Sequence, residues 1–95
     1  MKVNVELITP EIAKKLLEKN HSNRKLRKMV VDTYAEDIKD GRWELTHQGI
    51  AFDKNGDLVD GQHRLSAIVQ AGIAVPMVVA EGVDSRVIID NHAKR

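Results

Sequence analysis

The sequence predicts a small α/β domain of the α+β kind, with helices packed against one mixed β-sheet. Three observations predict this class. Apolar residues alternate with polar ones near the amino terminus, which indicates a strand. Apolar residues three or four positions apart indicate three helices. The length of 95 residues suits a single domain spanning the chain with a modest core.

The first strand and helix are predicted by alternation and by a helix-start signal. Val3, Val5 and Leu7 alternate with polar residues and predict a strand. Thr9 is a capping residue, and Pro10 suits the first position of a helix. This helix is expected to end at about residue 19.

A second helix is predicted to begin at Ser22 or Asn23, either of which can cap it. It is expected to end at Gly41, because glycine commonly terminates helices. Its apolar residues recur every four positions, as Leu26, Val30, Tyr34 and Ile38. Trp43, just beyond, is expected to pack the helix end onto the sheet.

The next segments predict a hairpin, a third helix and a last strand. Asn55 and Gly56 lie between apolar residues 50–52 and 58–59, and this pair is a strong hairpin signal because both residues tolerate positive φ. Asp60 is expected to cap a helix over residues 62–71 that Gly72 closes. Residues 75–80 predict a buried strand, and residues 85–94 fit either a helix or extended chain.

Composition and charge exclude several functions. The chain has no cysteine, so it has no disulfide and no thiolate metal site. Its net charge of +1 gives no overall attraction to nucleic acid. No apolar run approaches the roughly 18 residues of a membrane span, and no signal-peptide pattern begins the chain. The four histidines lack the spacing of a zinc site. We expect a cytoplasmic protein that does not bind membranes.

The segment of residues 60–66, Asp-Gly-Gln-His-Arg-Leu-Ser, is the strongest functional signal. It lies between a predicted strand and a predicted helix. A helix start offers backbone N–H groups and a positive dipole end to anions. Gly61 lets the backbone approach a ligand, and His63 and Arg64 add donors. Ser66 adds a hydroxyl or is a surface serine. The segment predicts a phosphate-binding loop, which we call the box.

The box resembles the second box of the ParB amino-terminal domain, Gly-Glu-Arg-Arg-x-Arg-Ala, and the Asp-Gly-(Gln/His)-His-Arg box of ParB/sulfiredoxin-like proteins. Asn23 and Arg24 resemble the early Asn/Arg box of that superfamily, which faces the nucleotide. Residues 71–79 resemble its "aG…vPv.v" strand. The resemblance covers roughly residues 5–95 and implies the mixed-sheet fold, a bound nucleotide (CTP, ATP or ADP), and a truncated or minimal member of the superfamily.

The chain also departs from this pattern. Gln62 replaces a glutamate, His63 an arginine and Ser66 a basic residue, which weakens the case for ParB-type CTP hydrolysis. Sulfiredoxin activity needs a cysteine nucleophile where Gln62 stands, so the sequence excludes it.

The resemblance also suggests where a metal would bind. Asp90 and Asn91 resemble the Glu-Asn pair that helps to hold the metal of the nucleotide, and oxygen ligands suit Mg²⁺. The alternative is a polar turn. Asp60 is given two roles: the helix cap, and a catalytic base or Mg²⁺ ligand beside the phosphates.

Residues 24–28 form a basic cluster. Most charge runs are solvated faces, but these side chains also suit contacts with DNA phosphates. A homodimer is among the expected assemblies.

These observations predict a nucleotide-binding ParB-like domain, with NTP hydrolysis or phosphoryl transfer as its candidate reaction. The alternative is a non-catalytic module of phage or bacterial origin that binds DNA or a protein. A ParB-like nuclease ranks last, because a two-metal site needs more clustered carboxylates than Asp60 and Asp90 supply.

Overall fold

The computed structural model describes residues 1–20, 25–44 and 49–84. They form three helices and four strands in the predicted order, which confirms the α+β class. The elements are β1 (Lys2–Ile8), α1 (Pro10–Leu17), α2 (Lys28–Lys39), β2 (Ile50–Asp53), β3 (Leu58–Asp60), α3 (Gln62–Ala71) and β4 (Val75–Val83).

The four strands form one mixed sheet in the order β1-β4-β2-β3. β4 runs antiparallel to β1 and parallel to β2, and β2 and β3 form the predicted hairpin. The core lies between one face of the sheet and the helices. Its sheet residues include Met77 and Val79, and Leu65 and Ile68 of α3 pack against them, all four nearly fully buried.

α1 begins as the sequence predicts. The Thr9 hydroxyl accepts a 3.1 Å hydrogen bond from the backbone N–H of Ile12, and Pro10 occupies the first turn. The helix ends at Leu17, slightly before the predicted residue 19.

The predicted start of α2 is wrong. The helix begins at Lys28, and Leu26 precedes it with 44% of its surface exposed. The buried residues are Val31, Ala35 and Ile38, at spacings of four and three. A strict four-residue repeat drifts around a helix of 3.6 residues per turn, so the mixed spacing is the one that keeps a single face against the core. The predicted end at Gly41 is confirmed.

The hairpin turn forms at the predicted place by a different geometry. Of the two residues in the predicted turn, Gly56 has a positive φ, of 85°, and Asn55 does not. The backbone N–H of Gly56 donates to the Asp53 carbonyl at 3.1 Å, and that of Asp53 donates to the Asp57 carbonyl at 2.9 Å. A tight turn followed by a left-handed glycine is the usual three-residue hairpin loop.

β4 extends three residues beyond the predicted end, to Val83. Trp43 is half-buried and packs edge-on against Tyr34 of α2, with ring centroids 5.6 Å apart. The described part of the chain contains no helix long and apolar enough to span a bilayer. The alternatives for residues 85–94 lie outside the described residues.

Candidate functional site

The box forms the corner between β3 and α3, as predicted. β3 ends at Asp60, Gly61 has φ +103°, and α3 begins at Gln62. Positive φ favours glycine, because a side chain would meet the following carbonyl. A Cβ at Gly61 would also overlap the side chain of Ile50 and lie 2.9 Å from its Cα. The corner therefore requires glycine for both backbone conformation and space.

The prediction that Asp60 caps α3 is wrong. The capping position belongs to Gly61, and no described side chain caps this helix. Asp60 instead ends β3, paired with Ala51 of β2, and its side chain is half-buried. Because the sharp turn at Gly61 separates Asp60 from the helix, the carboxylate does not occupy the capping position.

Gln62 links the box to the end of α1. Its side chain is 7% exposed, and its carbonyl oxygen accepts a 2.8 Å hydrogen bond from the side-chain amide of Asn20. A buried amide needs such a partner, because an unpaired polar group in the interior costs roughly 1–3 kcal/mol. Gln62 therefore contributes to the packing of α1 against α3.

His63 links the box to the start of α2. Its Nε2 atom accepts a 2.9 Å hydrogen bond from the backbone N–H of Arg27, the residue at the capping position of α2. A ring nitrogen that accepts carries no proton, so this bond requires a neutral imidazole with its proton on Nδ1.

Arg64 links the box to the sheet. Its guanidinium donates a 3.0 Å hydrogen bond to the carbonyl of Gly49 and lies 5.9 Å from the centroid of the Tyr34 ring. Arg64 is half-buried between β2 and α2. Ser66, two residues further along α3, is also half-buried.

Two helices start at this corner. The His63–Arg27 contact brings the first turn of α3 to the first residues of α2. Neither helix has a capping side chain or an acidic residue in its first turn among the described residues, whereas α1 has both Thr9 and Glu11. Acidic residues normally complement the positive end of a helix dipole. Here basic residues lie at both starts instead, with Arg27 and Lys28 at α2 and Arg64 in the first turn of α3, while the carboxylate of Asp60 lies just before Gly61.

The basic cluster is only partly available to a ligand. Lys25 and Arg27 are exposed, but the ammonium of Lys28 lies 2.8 Å from a carboxylate oxygen of Asp32. Hydrogen bonds from Lys28 and from Gln70 of α3 lower the pKa of Asp32, so Asp32 is charged at neutral pH. The attraction of Lys28 to another anion is therefore reduced.

Several predicted site residues lie outside the described residues: Asn23, Arg24, Asp90 and Asn91. Among residues 1–20, 25–44 and 49–84, no group of three or more histidine or carboxylate side chains is arranged to hold a metal ion.

The structure adds three residues that the sequence did not indicate as part of the site. Asn20, Tyr34 and Gly49 each contact a side chain of the box. The only sequence signal for Gly49 is a glycine directly before a strand. A Cβ there would overlap the carbonyl oxygen of Val78, so only glycine lets this segment lie against β4.

Comparisons with known proteins do not assign the site. No protein-family model matches the chain, and searches of curated proteins and of solved structures found no significant match. The ParB/sulfiredoxin resemblance therefore stays a prediction from the residues of the box, and the site is interpreted from its own geometry.

Proposed function

We propose that this domain binds the phosphate groups of a nucleotide at the corner formed by Gly61 and the starts of α2 and α3. The observation that carries the proposal is the convergence of these two helix starts, without a capping side chain or first-turn acid among the described residues. Positive dipole ends favour an anion, and nucleotide phosphates are among the anions that helix starts bind.

Arg64 is the side chain that would contribute most to phosphate affinity. Gly49 and Tyr34 hold its guanidinium at the corner before any ligand arrives. A positioned guanidinium loses less side-chain entropy on binding, and its planar fork matches two phosphate oxygens. Ser66, one turn after Gln62 on α3, would be a secondary hydroxyl donor.

The proposal includes Asn23 and Arg24 because of the residues that flank them in the sequence. Asn23 and Arg24 lie in the sequence between Asn20 and Arg27. These two residues are hydrogen-bonded to the consecutive box residues Gln62 and His63. Asn20 and Arg27 are therefore both held at the box. The proposal extends to Asn23 and Arg24 as nucleotide contacts.

A reaction is the further part of the proposal. NTP hydrolysis or phosphoryl transfer would use Asp60, next to Gly61, as the base. Asp90, Asn91 and the phosphates themselves would hold Mg²⁺, since Mg²⁺ usually uses few protein ligands. Asp90 and Asn91, the proposed metal ligands, lie outside the described residues. The mechanism drawn from the structure therefore stops at phosphate binding.

Calorimetric titration with CTP, ATP, ADP and pyrophosphate, each with and without Mg²⁺, tests the proposal. The parent should bind at least one of these at millimolar concentration or below. Arg64→Ala should weaken binding about tenfold or more, because hydrogen bonds to charged groups contribute roughly 1.5–3 kcal/mol each. Arg64→Lys should recover only part of the loss, since a point charge does not reproduce the fork.

Arg42→Ala is the matched control. It removes the same positive charge, but near the end of α2 and not at the corner where α2 starts. There Arg42 pairs with Asp37 and Asp40. Its nucleotide affinity should equal that of the parent. Because Arg64 also supports the fold, circular dichroism must first show that each variant is folded at the titration temperature. A parent that binds none of the phosphates would refute the proposal and favour the interaction-module alternative.

A further inference from the structure

β1 presents an exposed apolar row at one edge of the sheet. Val3, Val5 and Leu7 are 54%, 59% and 61% exposed, although their alternation is typical of a strand with one buried face. Among the described strands only β4 pairs with β1, so the other side of β1 is an edge. Exposed apolar edge strands are templates for pairing with another chain.

The apolar row belongs to the sheet face opposite the helices. Val5 lies opposite Val78 of β4, and Val3 lies opposite Ala80. The neighbouring β4 residues Met77 and Val79 are buried on the helix side. Among the described elements, the helices therefore cover one face of the sheet and leave the row on β1 exposed.

We propose that two copies of this chain pair antiparallel along β1, with a two-fold axis at Asn4. An axis at Asn4 places Lys2 opposite Glu6 of the second copy, and by symmetry Glu6 opposite Lys2. It also places Val3 opposite Val5 on the apolar face. Opposite residues of antiparallel strands lie on the same face, so charges meet opposite charges and apolar residues meet apolar residues.

The neighbouring register lacks this complementarity. An axis at Val5 would place Lys2 opposite Ile8, leaving each charge without its partner. Charge complementarity between Lys2 and Glu6 therefore selects the axis at Asn4. Such a contact is self-complementary and closed, as dimers of identical chains require.

The expected dimer is weak. Pairing a single strand of 7 residues is a small contact, and interfaces at the low end of the size range, roughly 1,200 Å² or less, form transient complexes. Sedimentation equilibrium from micromolar to millimolar concentration should show a reversible monomer–dimer equilibrium for the parent. A parent that remains monomeric at millimolar concentration would overturn the proposal.

Glu6→Lys tests the register. Both ionic pairs would become pairs of like charge, which should weaken association about tenfold or more. Glu36→Lys makes the same charge change on the exposed surface of α2 and should leave association unchanged. Equal weakening by both variants would overturn the proposal, because net charge rather than position would then control association.

Mixing two variants gives the decisive result. Lys2→Glu alone should also associate more weakly than the parent. An equimolar mixture with Glu6→Lys should form a heterodimer, since both charged pairs across the strands are again opposite in charge. Lys2 also faces Glu81 within its own chain, so circular dichroism must show that Lys2→Glu is folded. Folded variants whose mixture stays monomeric would overturn the assigned register.

Discussion

At the scale of single residues, the polar side chains of the box act first as structural links. Gln62, His63 and Arg64 are consecutive, yet they bond to the end of α1, the start of α2 and the segment before β2. Consecutive helix residues point about 100° apart, so three neighbours can reach three different elements. A ligand at this corner would therefore meet side chains that the fold has already positioned.

Gly61→Ala should destabilise the domain more than Gly72→Ala. Both glycines have positive φ, of 103° and 71°, which costs an alanine about 1–2 kcal/mol. Only at Gly61 does the added Cβ also overlap Ile50, whereas at Gly72 it meets nothing within 4 Å. We expect a loss of about 3 kcal/mol or more at Gly61 and about 1 kcal/mol at Gly72. Urea denaturation of both variants measures the difference, and equal losses would contradict the steric argument.

At the scale of elements, the hairpin that leads into the box depends on Asp53 as well as on Gly56. The Asp53 carboxylate accepts hydrogen bonds from the backbone N–H groups of Asn55 and Asp57, at 2.9 and 3.0 Å. Asp at the first position of a turn is favoured for this reason. The turn fixes how β2 and β3 pair, and thereby where β3 delivers Gly61 to the corner.

Gly56→Val should lower the stability of the domain by about 1–2 kcal/mol, because a β-branched residue resists the φ of +85° that this position has. Lys54→Val is the control: it places the same side chain in the same turn at a residue without positive φ. Thermal and urea denaturation compare the two. If Gly56→Val leaves the denaturation midpoint unchanged, the left-handed position does not determine the turn.

At the scale of the whole molecule, charge is distributed locally. The net charge is +1, yet cations concentrate near the start of α2 and Lys28 is already paired with Asp32. Nonspecific binding to DNA grows with the number of phosphates that cations neutralise. An exposed cluster this small would give weak binding that salt readily reverses.

Any DNA binding should therefore collapse as salt rises from about 50 mM to 200 mM. Replacing Lys25 and Lys28 with glutamine should weaken it equally for all DNA sequences. The same replacement of Lys14 and Lys15, exposed on α1, removes equal charge and should have a smaller effect. Fluorescence anisotropy with unrelated duplexes measures both. Tight, sequence-selective binding that persists at high salt would show that the domain is a specific DNA-binding module.

The sequence by itself determined the order of the elements and most of their ends. Thr9, Pro10, Gly41, Gly56 and Gly72 act through their own backbone or their nearest neighbours, so their effects follow from local sequence. The start of α2 was predicted wrongly because which apolar residues are buried depends on what the helix packs against. The position of Gly61 between a strand and a helix was likewise predicted from sequence, but the capping role given to Asp60 was not correct.

Only the tertiary structure decided what the box contacts. Gln62, His63 and Arg64 bond to residues 42, 36 and 15 positions away in the chain, and no local pattern specifies such partners. Likewise, alternation in β1 showed that its two faces differ, but not that the apolar row would remain exposed. Which face is covered depends on where the helices pack, and that is fixed by contacts between distant segments.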